Sequence, residues 1–291
     1  TAKDFEKLIS SGINISPFLE IGAEYCVRSM QLGKKFNAHG IALDLADSPL
    51  KSAEYFKHIF HFDNLPIRVC ADAYHLPFAN NSFPFIFCYQ TLHHFPDPMP
   101  VIEEIYRVLA PGGYFFFAEE PIKQTANIRL FRRPTKTTGL GKLLKYLLIL
   151  PFISEIGKNE VDHGILENSF KIHEWEIALG DFKKITATVG PVFADIQQSF
   201  QKKENIHFIK PGLVQSVLIN MVGGGIQVLA QKEMEFIKNQ KTILWQCPQC
   251  QQKLLKNKNI LRCRNKHLFK KHAGVIYCLP TQLQQELYPA L

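Results

Sequence analysis

Two sets of residues in this chain have the types and spacing to do chemistry. The run CPQCQQKLLKNKNILRCRNKH, residues 247–267, puts Cys247 and Cys250 in a CxxC and, after twelve residues, Cys263 and His267 in a CxxxH. Thiolates and an imidazole on two short turns match a tetrahedral zinc site. The LLKNKNILR between them suits a two-stranded hairpin that holds the turns together. Cys278, in VIYCLP, competes for the place of fourth ligand. An ion closed by four protein groups would be structural, because catalytic zinc keeps an open position. The second set is a series of acids, each ending an apolar run: Glu20 with Gly22 in FLEIGAEYCVRS, Asp44 in IALDLAD, and Asp72 in CADAYHLPFANNSF. Gly22 lets the backbone turn sharply and approach a ligand, and the helix start that follows offers unpaired N–H groups. A carboxylate ending a second strand can accept both hydroxyls of a ribose. The GxGxxG of a dinucleotide loop is absent, which argues against a pyrophosphate-binding domain. Histidines form a third group: His93 and His94 in YQTLHHFPDP, and His163 with Asp162 and Glu167 in VDHGILENSF. Imidazoles can move protons, but the first two also suit packing or capping at a helix start, and His163 a surface or hinge position.

Strands and helices must position these groups. PFLEIGA (17–23), HGIALDL (39–45), PIRVCAD (66–72), FPFIFCY (83–89) and GYFFFAE (113–119) read as strands, and the segments between the first three carry amphipathic helical patterns. VIEEIYRVLAPGG reads as a helix that closes on Pro111, Gly112 and Gly113. Continuously apolar strands alternating with helices imply a parallel sheet covered on both faces. A long stretch, about 121–180, interrupts the rhythm before KITATVGPV (184–192) and GGIQVLAQK (224–232) supply two more strands. The expected fold is α/β: a doubly wound, mostly parallel seven-stranded sheet with an insertion after strand five and a small C-terminal zinc ribbon. A composition change near 233–243 divides the chain into domains at 1–238 and 239–291, the second expected to fold around its own metal rather than around the sheet.

Charge is segregated along the chain. Residues 121–145 and 241–272 together hold sixteen of the thirty-four Lys and Arg and none of the twenty-six acids, so a formal charge of +8 hides a net acidic remainder. Such a surface allows an acidic partner, whether RNA, an anionic lipid surface or a phosphorylated substrate; a solvated basic face is the plainer alternative. The longest apolar run, YLLILPFI at 146–153, falls well short of the roughly 20 residues that span a bilayer. No transmembrane segment or signal peptide is expected. Seven cysteines, some in metal-like spacing, fit a reducing cytoplasm better than a disulfide framework.

The acid-x-Gly, the acid ending strand two, DAxxLPFxxxSF, LHHFxDP and RVLxPGG occur in an order that resembles a class I S-adenosylmethionine-dependent methyltransferase of the broad group that includes quinone-biosynthesis enzymes. The resemblance covers about 17–120. It implies a Rossmann-like fold with Glu20 and Gly22 beside the methionine part of S-adenosylmethionine and Asp44 on its ribose. It implies Asp72 and the backbone of Ala73 at the adenine, with Cys88 and Tyr89 lining the far side. Where the family usually has further glycines in the first loop, this chain has Glu24 and Cys26, and Pro84 replaces the aspartate common at the start of strand four. The implied chemistry is in-line displacement at the sulfonium methyl, with a general base needed if the acceptor is a hydroxyl; His93, near the expected methyl position, and His163 are the candidates. The zinc ribbon resembles the module of bacterial 23S rRNA guanine methyltransferases, where it precedes the catalytic domain instead of following it. Three functions are left open. The insertion, with leucines at helical intervals over 140–150, favours transfer to a small-molecule, lipid or sugar acceptor. The basic ribbon favours RNA, and the glycine-poor loop would also suit a binding module without transfer activity.

Overall fold

The segment FPFIFCY shows why the central strands are apolar throughout. Side chains alternate between faces along a strand, so Phe85, Phe87 and Tyr89 pack on one side of the sheet while Ile86 and Cys88 pack on the other, where an irregularity between Phe83 and Phe85 also places Phe83. Both sides are covered. Helix α1 (Ala2–Ser10) lays Phe5 and Leu8 on the first face, with the Phe5 and Phe87 rings edge to face at 5.1 Å. Helix α4 (Met99–Val108) lays Val101, Ile102, Ile105 and Val108 on the second.

The computed structural model describes residues 2–122, 168–191, 207–209, 213–214, 217, 224–233, 243–257 and 260–290. In chain order the first half runs α1, β1 (Phe18–Ile21), α2 (Val27–Phe36), β2 (Gly40–Asp44), α3 (Asp47–Ile59), β3 (Ile67–Cys70), β4 (Phe83–Tyr89), α4 and β5 (Leu109–Ile122). There follow α5 (Ile172–Ala178), β6 (Lys184–Pro191), β7 (His207–Ile209), β8 (Gly224–Gln231), β9 (Leu255–Asn257), β10 (Ile260–Arg262), β11 (Leu268–His272), β12 (Val275–Tyr277) and α6 (Thr281–Leu287). Helix α4 stops at Val108, short of the Gly-Gly expected to close it, and Leu109 opens β5. Pro111 disfavours helical backbone at Ala110, so the chain is already extended before the glycines arrive.

The sheet departs from the seven-stranded expectation. Among the described residues it has twelve strands in the order β7-β6-β8-β5-β4-β1-β2-β3-β12-β11-β10-β9 and is mixed, with β8 antiparallel to both β5 and β6. The seven strands read from the sequence form its middle. Beyond them β7 pairs parallel with β6 at one edge, and β12 pairs parallel with β3 at the other. The ribbon hairpin β9–β10 and strand β11 then continue outward from β12, all antiparallel.

That second extension overturns the expectation that the ribbon packs around its metal alone. Val275, Ile276 and Tyr277 stand opposite Arg68, Val69 and Cys70, so the C-terminal segment covers what would otherwise be a free sheet edge. Cys247, Leu254, Leu261, Phe269 and Ile276 belong to one apolar cluster with Val69 and Phe78. Trp245 packs on Phe78 at 5.1 Å between ring centres. The domain boundary drawn at 238/239 falls within 234–242, outside the described residues, as do residues 123–167 of the insertion. From the end of the insertion, α5 sets Trp175 against Phe117 at 5.1 Å.

Candidate functional site

The carboxyl ends of β1, β2, β3 and β4 meet along one edge of the sheet, where an open α/β sheet binds ligands. After β1 the chain turns through Gly22 (φ 69°), Glu24 (φ 46°) and Cys26 (φ 59°) into α2. The two positions where glycine was missed are thus in the left-handed conformation that glycine adopts without cost, and the glycine-type turn is kept by side chains that strain it. Gly22 has a further constraint. A Cβ there would lie 2.3 Å from Thr91 Oγ1, so Thr91 occupies the space the missing side chain leaves. Glu20 is buried and faces the start of α2, accepting hydrogen bonds from Ser29 N at 3.2 Å and from the Ser29 hydroxyl, with Arg28 at 3.9 Å. Burial pushes its carboxyl up to about 7, against the opposing pull of Ser29 and Arg28.

Asp44 ends β2 with both carboxylate oxygens directed by backbone. Oδ2 accepts from Glu24 N at 2.8 Å and Oδ1 from Ala46 N at 2.9 Å. Each oxygen keeps a second lone pair for a ligand hydroxyl. Burial raises its carboxyl above the ordinary range, and the N–H groups of Ala46 and Glu24 act the other way. Asp72 caps the short 3-10 turn Ala73–His75, accepting from Tyr74 N at 3.0 Å, and it faces His75 Nδ1 at 3.5 Å. Ala73 is buried. Cys88 and Tyr89 lie within the core: Cys88 has no exposed surface, and Tyr89 packs on Phe5 and Phe116 with Arg28 over its ring at 5.1 Å.

The sequence reading missed Glu120, which organises the end of β4. Its carboxylate is fully buried and accepts from Thr91 N (2.8 Å), Leu92 N (3.0 Å) and His93 N (3.0 Å), the first donors of the 3-10 turn Leu92–His94. Oε2 also faces His93 Nδ1 at 2.8 Å. An irregularity in β5 between Phe117 and Glu120, with Glu119 at φ 64°, separates the two glutamates, leaving Glu119 outside and Glu120 inside. The only sequence signal was an acidic pair at the end of an apolar strand. Asn168 ties the returning chain to this turn through Asn168 N to His93 O and Asn168 Nδ2 to Phe95 O, both 3.0 Å. His163, Asp162 and Glu167 lie outside the described residues.

The ribbon brings together Cys247, Cys250, Cys263 and His267, whose ligand atoms all lie within 4.8 Å of one another. Cys250 Sγ and Cys263 Sγ are 3.7 Å apart, and His267 Nδ1 is 3.4 Å from Cys247 Sγ and 3.5 Å from Cys263 Sγ. A tetrahedral ion with Zn–S near 2.3 Å separates its sulfurs by roughly 3.7 Å, so three thiols and an imidazole at these distances fit zinc. Each ligand turn closes through a residue in the left-handed region, Gln251 (φ 57°) and Lys266 (φ 66°). Cys278 is outside the group; its N–H instead donates to Cys70 O at 2.8 Å, at the end of β12. None of the seven cysteines forms a disulfide, and among the described residues no helix is long and apolar enough to cross a membrane.

Comparison with known proteins bears on this edge of the sheet. Residues 19–117 match the family described as a methyltransferase domain. Over 122 residues the chain is 36% identical to a probable phthiotriol/phenolphthiotriol dimycocerosates methyltransferase of Mycobacterium ulcerans, covering 42% of this chain and 43% of that one. Over 73 residues it is 37% identical to the demethylmenaquinone methyltransferase of Oceanobacillus iheyensis, covering 25% and 30%. The chain therefore spans less than half the length of these relatives. The crystal structure of the cyclase SpnF superposes with a TM-score of 0.50 at 14% identity, covering 80% of this chain and 82% of that one, a likeness of fold alone. Residues 19–117 are thus similar to a methyltransferase domain, on a Rossmann-like α/β sheet.

Proposed function

We propose that this chain transfers the methyl group of S-adenosylmethionine to a small-molecule, lipid or sugar acceptor. The reading rests on the Asp44 carboxylate, held between the N–H groups of Glu24 and Ala46 beside a glycine-type turn, within the segment that matches the methyltransferase domain. Asp44 would hold the ribose hydroxyls and Asp72, with the backbone of Ala73, the adenine. Gly22 and Glu20 form the floor near the methionine portion. Cys88 and Tyr89 support from within the core, behind the surface a ligand would touch. When bound, S-adenosylmethionine supplies an electrophilic methyl group. His93 would act as general base toward an acceptor hydroxyl. Its Nδ1 faces the buried Glu120 Oε2 at 2.8 Å, a carboxylate that would orient the ring while the imidazole accepted the hydroxyl proton of the acceptor. His163 keeps its candidacy from the insertion. Zinc held by Cys247, Cys250, Cys263 and His267 would close the ribbon as a structural ion, with no position left for substrate.

One feature favours a second reading. The ribbon segment 241–272 has nine Lys and Arg and no acid, which suits an RNA acceptor. The two readings separate in an assay with radiolabelled methyl donor offered to total RNA and to a lipid and small-molecule extract. Label in the extract, lost in His93→Ala, supports the proposal. Label confined to RNA, with transfer that falls steeply as salt rises, replaces it with the RNA reading.

A further inference from the structure

The loop that aims Asp44 is tied down from the far end of the chain. Ala46 N directs Asp44 Oδ1, and Ala46 lies between two residues gripped by C-terminal tyrosines. The Tyr288 hydroxyl donates to Leu45 O at 2.6 Å and accepts from Asp47 N at 3.0 Å, bridging the backbone on either side of Ala46. The Tyr277 hydroxyl donates to Asp47 Oδ2 at 2.6 Å, an oxygen that Lys51 Nζ also reaches at 2.5 Å. The two phenol rings pack on each other at 5.6 Å, and Tyr277 is buried at the end of β12, where that strand pairs with β3. Burial raises both phenols above the usual range, so both stay protonated and able to donate.

None of these atoms needs to touch a ligand to matter. A carboxylate that must meet two vicinal hydroxyls depends on its angle, and that angle is set here by two N–H groups, one on the strained turn after β1 and one on the bridged loop. We infer that Tyr277 and Tyr288 are positioning residues for the cofactor site, holding residues 45–47 so that Asp44 presents its free lone pairs to a ribose diol. The C-terminal segment is thereby part of the cofactor site. This rests on the reading of Asp44 as the ribose ligand given above.

The test uses the full chain, as purified with its metal, and two probes: S-adenosylhomocysteine and its 2′-deoxyribose counterpart. Each is titrated calorimetrically into the parent, Tyr288→Phe, Tyr277→Phe and Asp44→Asn. The Phe variants keep the rings and remove only the hydroxyls, and melting temperatures confirm that each is folded. The parent should prefer the ribose form, and Asp44→Asn should erase that preference. Tyr288→Phe should weaken the ribose form about five- to tenfold while shifting the deoxy form by no more than about twofold, because only the hydroxyl contact loses its geometry. Tyr277→Phe should do the same to a smaller degree. Equal weakening of both probes marks a merely structural role and overturns the inference, as does an unchanged preference in both Phe variants. A parent that does not distinguish the probes, or that binds neither, refutes the ribose reading itself and the inference with it.

Discussion

Glu24 and Cys26 carry the conformation of glycine without its identity. Residue type alone suggested a depleted loop, because φ is not written in a side chain, and the turn was legible only once the backbone was in view. Glu24 is exposed and its role is borne by its N–H, so Glu24→Gly should leave the bond to Asp44 intact and stabilise the chain by about 1 kcal/mol through release of left-handed strain, as read by urea denaturation. Gly22→Ala should do the reverse. It sets a methyl against Thr91 and strains a positive φ, for an expected cost of more than about 2 kcal/mol; pairing it with Thr91→Ala should recover part of that in a double-mutant cycle. Glu20 gives a pH dependence. Its carboxyl is raised from 4.5 to about 7 by burial, so the folded chain holds a proton that the unfolded chain has released. The associated stability is present below 4.5 and is lost as pH rises through about 7. Glu20→Gln keeps an acceptor for Ser29 and should flatten the decline in unfolding free energy between about pH 5 and about pH 8.

Among the elements, the five strands that lead to the site were legible because continuous apolar runs of strand length, broken by glycine and acids, have few other uses. Strand β12 was not. VIY is too short to be told from a buried loop, and its partner β3 lies about 200 positions away in the sequence, a pairing that local pattern cannot report. Its consequence is mechanical. Deleting 241–291 would uncover Val69 and Phe78 and break the backbone pairing along β3. The chain ending at 240 should therefore lack a cooperative melt in near-ultraviolet circular dichroism. A sharp transition close to that of the full chain would show instead that the sheet needs no cover at this edge. Loss of the proposed zinc should act in the same direction. Cys247→Ser, or chelation of the intact protein, should lower the melting temperature of the sheet and not only that of the ribbon, because Cys247, Cys263 and Phe269 share one core with β3.

The whole molecule joins the segment that matches a methyltransferase domain to a cysteine-and-histidine ribbon by a shared sheet, and the ribbon's C-terminal residues reach the loop behind Asp44. The ribbon's Cys and His set was readable from spacing, because CxxC and CxxxH are short, fixed intervals, whereas the acids of the sheet edge were readable only from their places in or after apolar runs. Glu120 was not readable, since only the irregularity in β5 decides which of two adjacent glutamates turns inward. The acceptor was not readable either, because an acceptor pocket is assembled from side chains distant in sequence, with no fixed interval among them. The central claim is that the edge formed by Glu20, Gly22, Asp44 and Asp72 holds S-adenosylmethionine. It is tested most directly by calorimetric titration of that compound into the full chain and into Asp44→Ala. The account expects one site per chain, weakened in the variant by about 1.5–3 kcal/mol, the worth of hydrogen bonds to a charged acceptor. An absence of binding to the parent chain, or equal affinity in the two proteins, would contradict it.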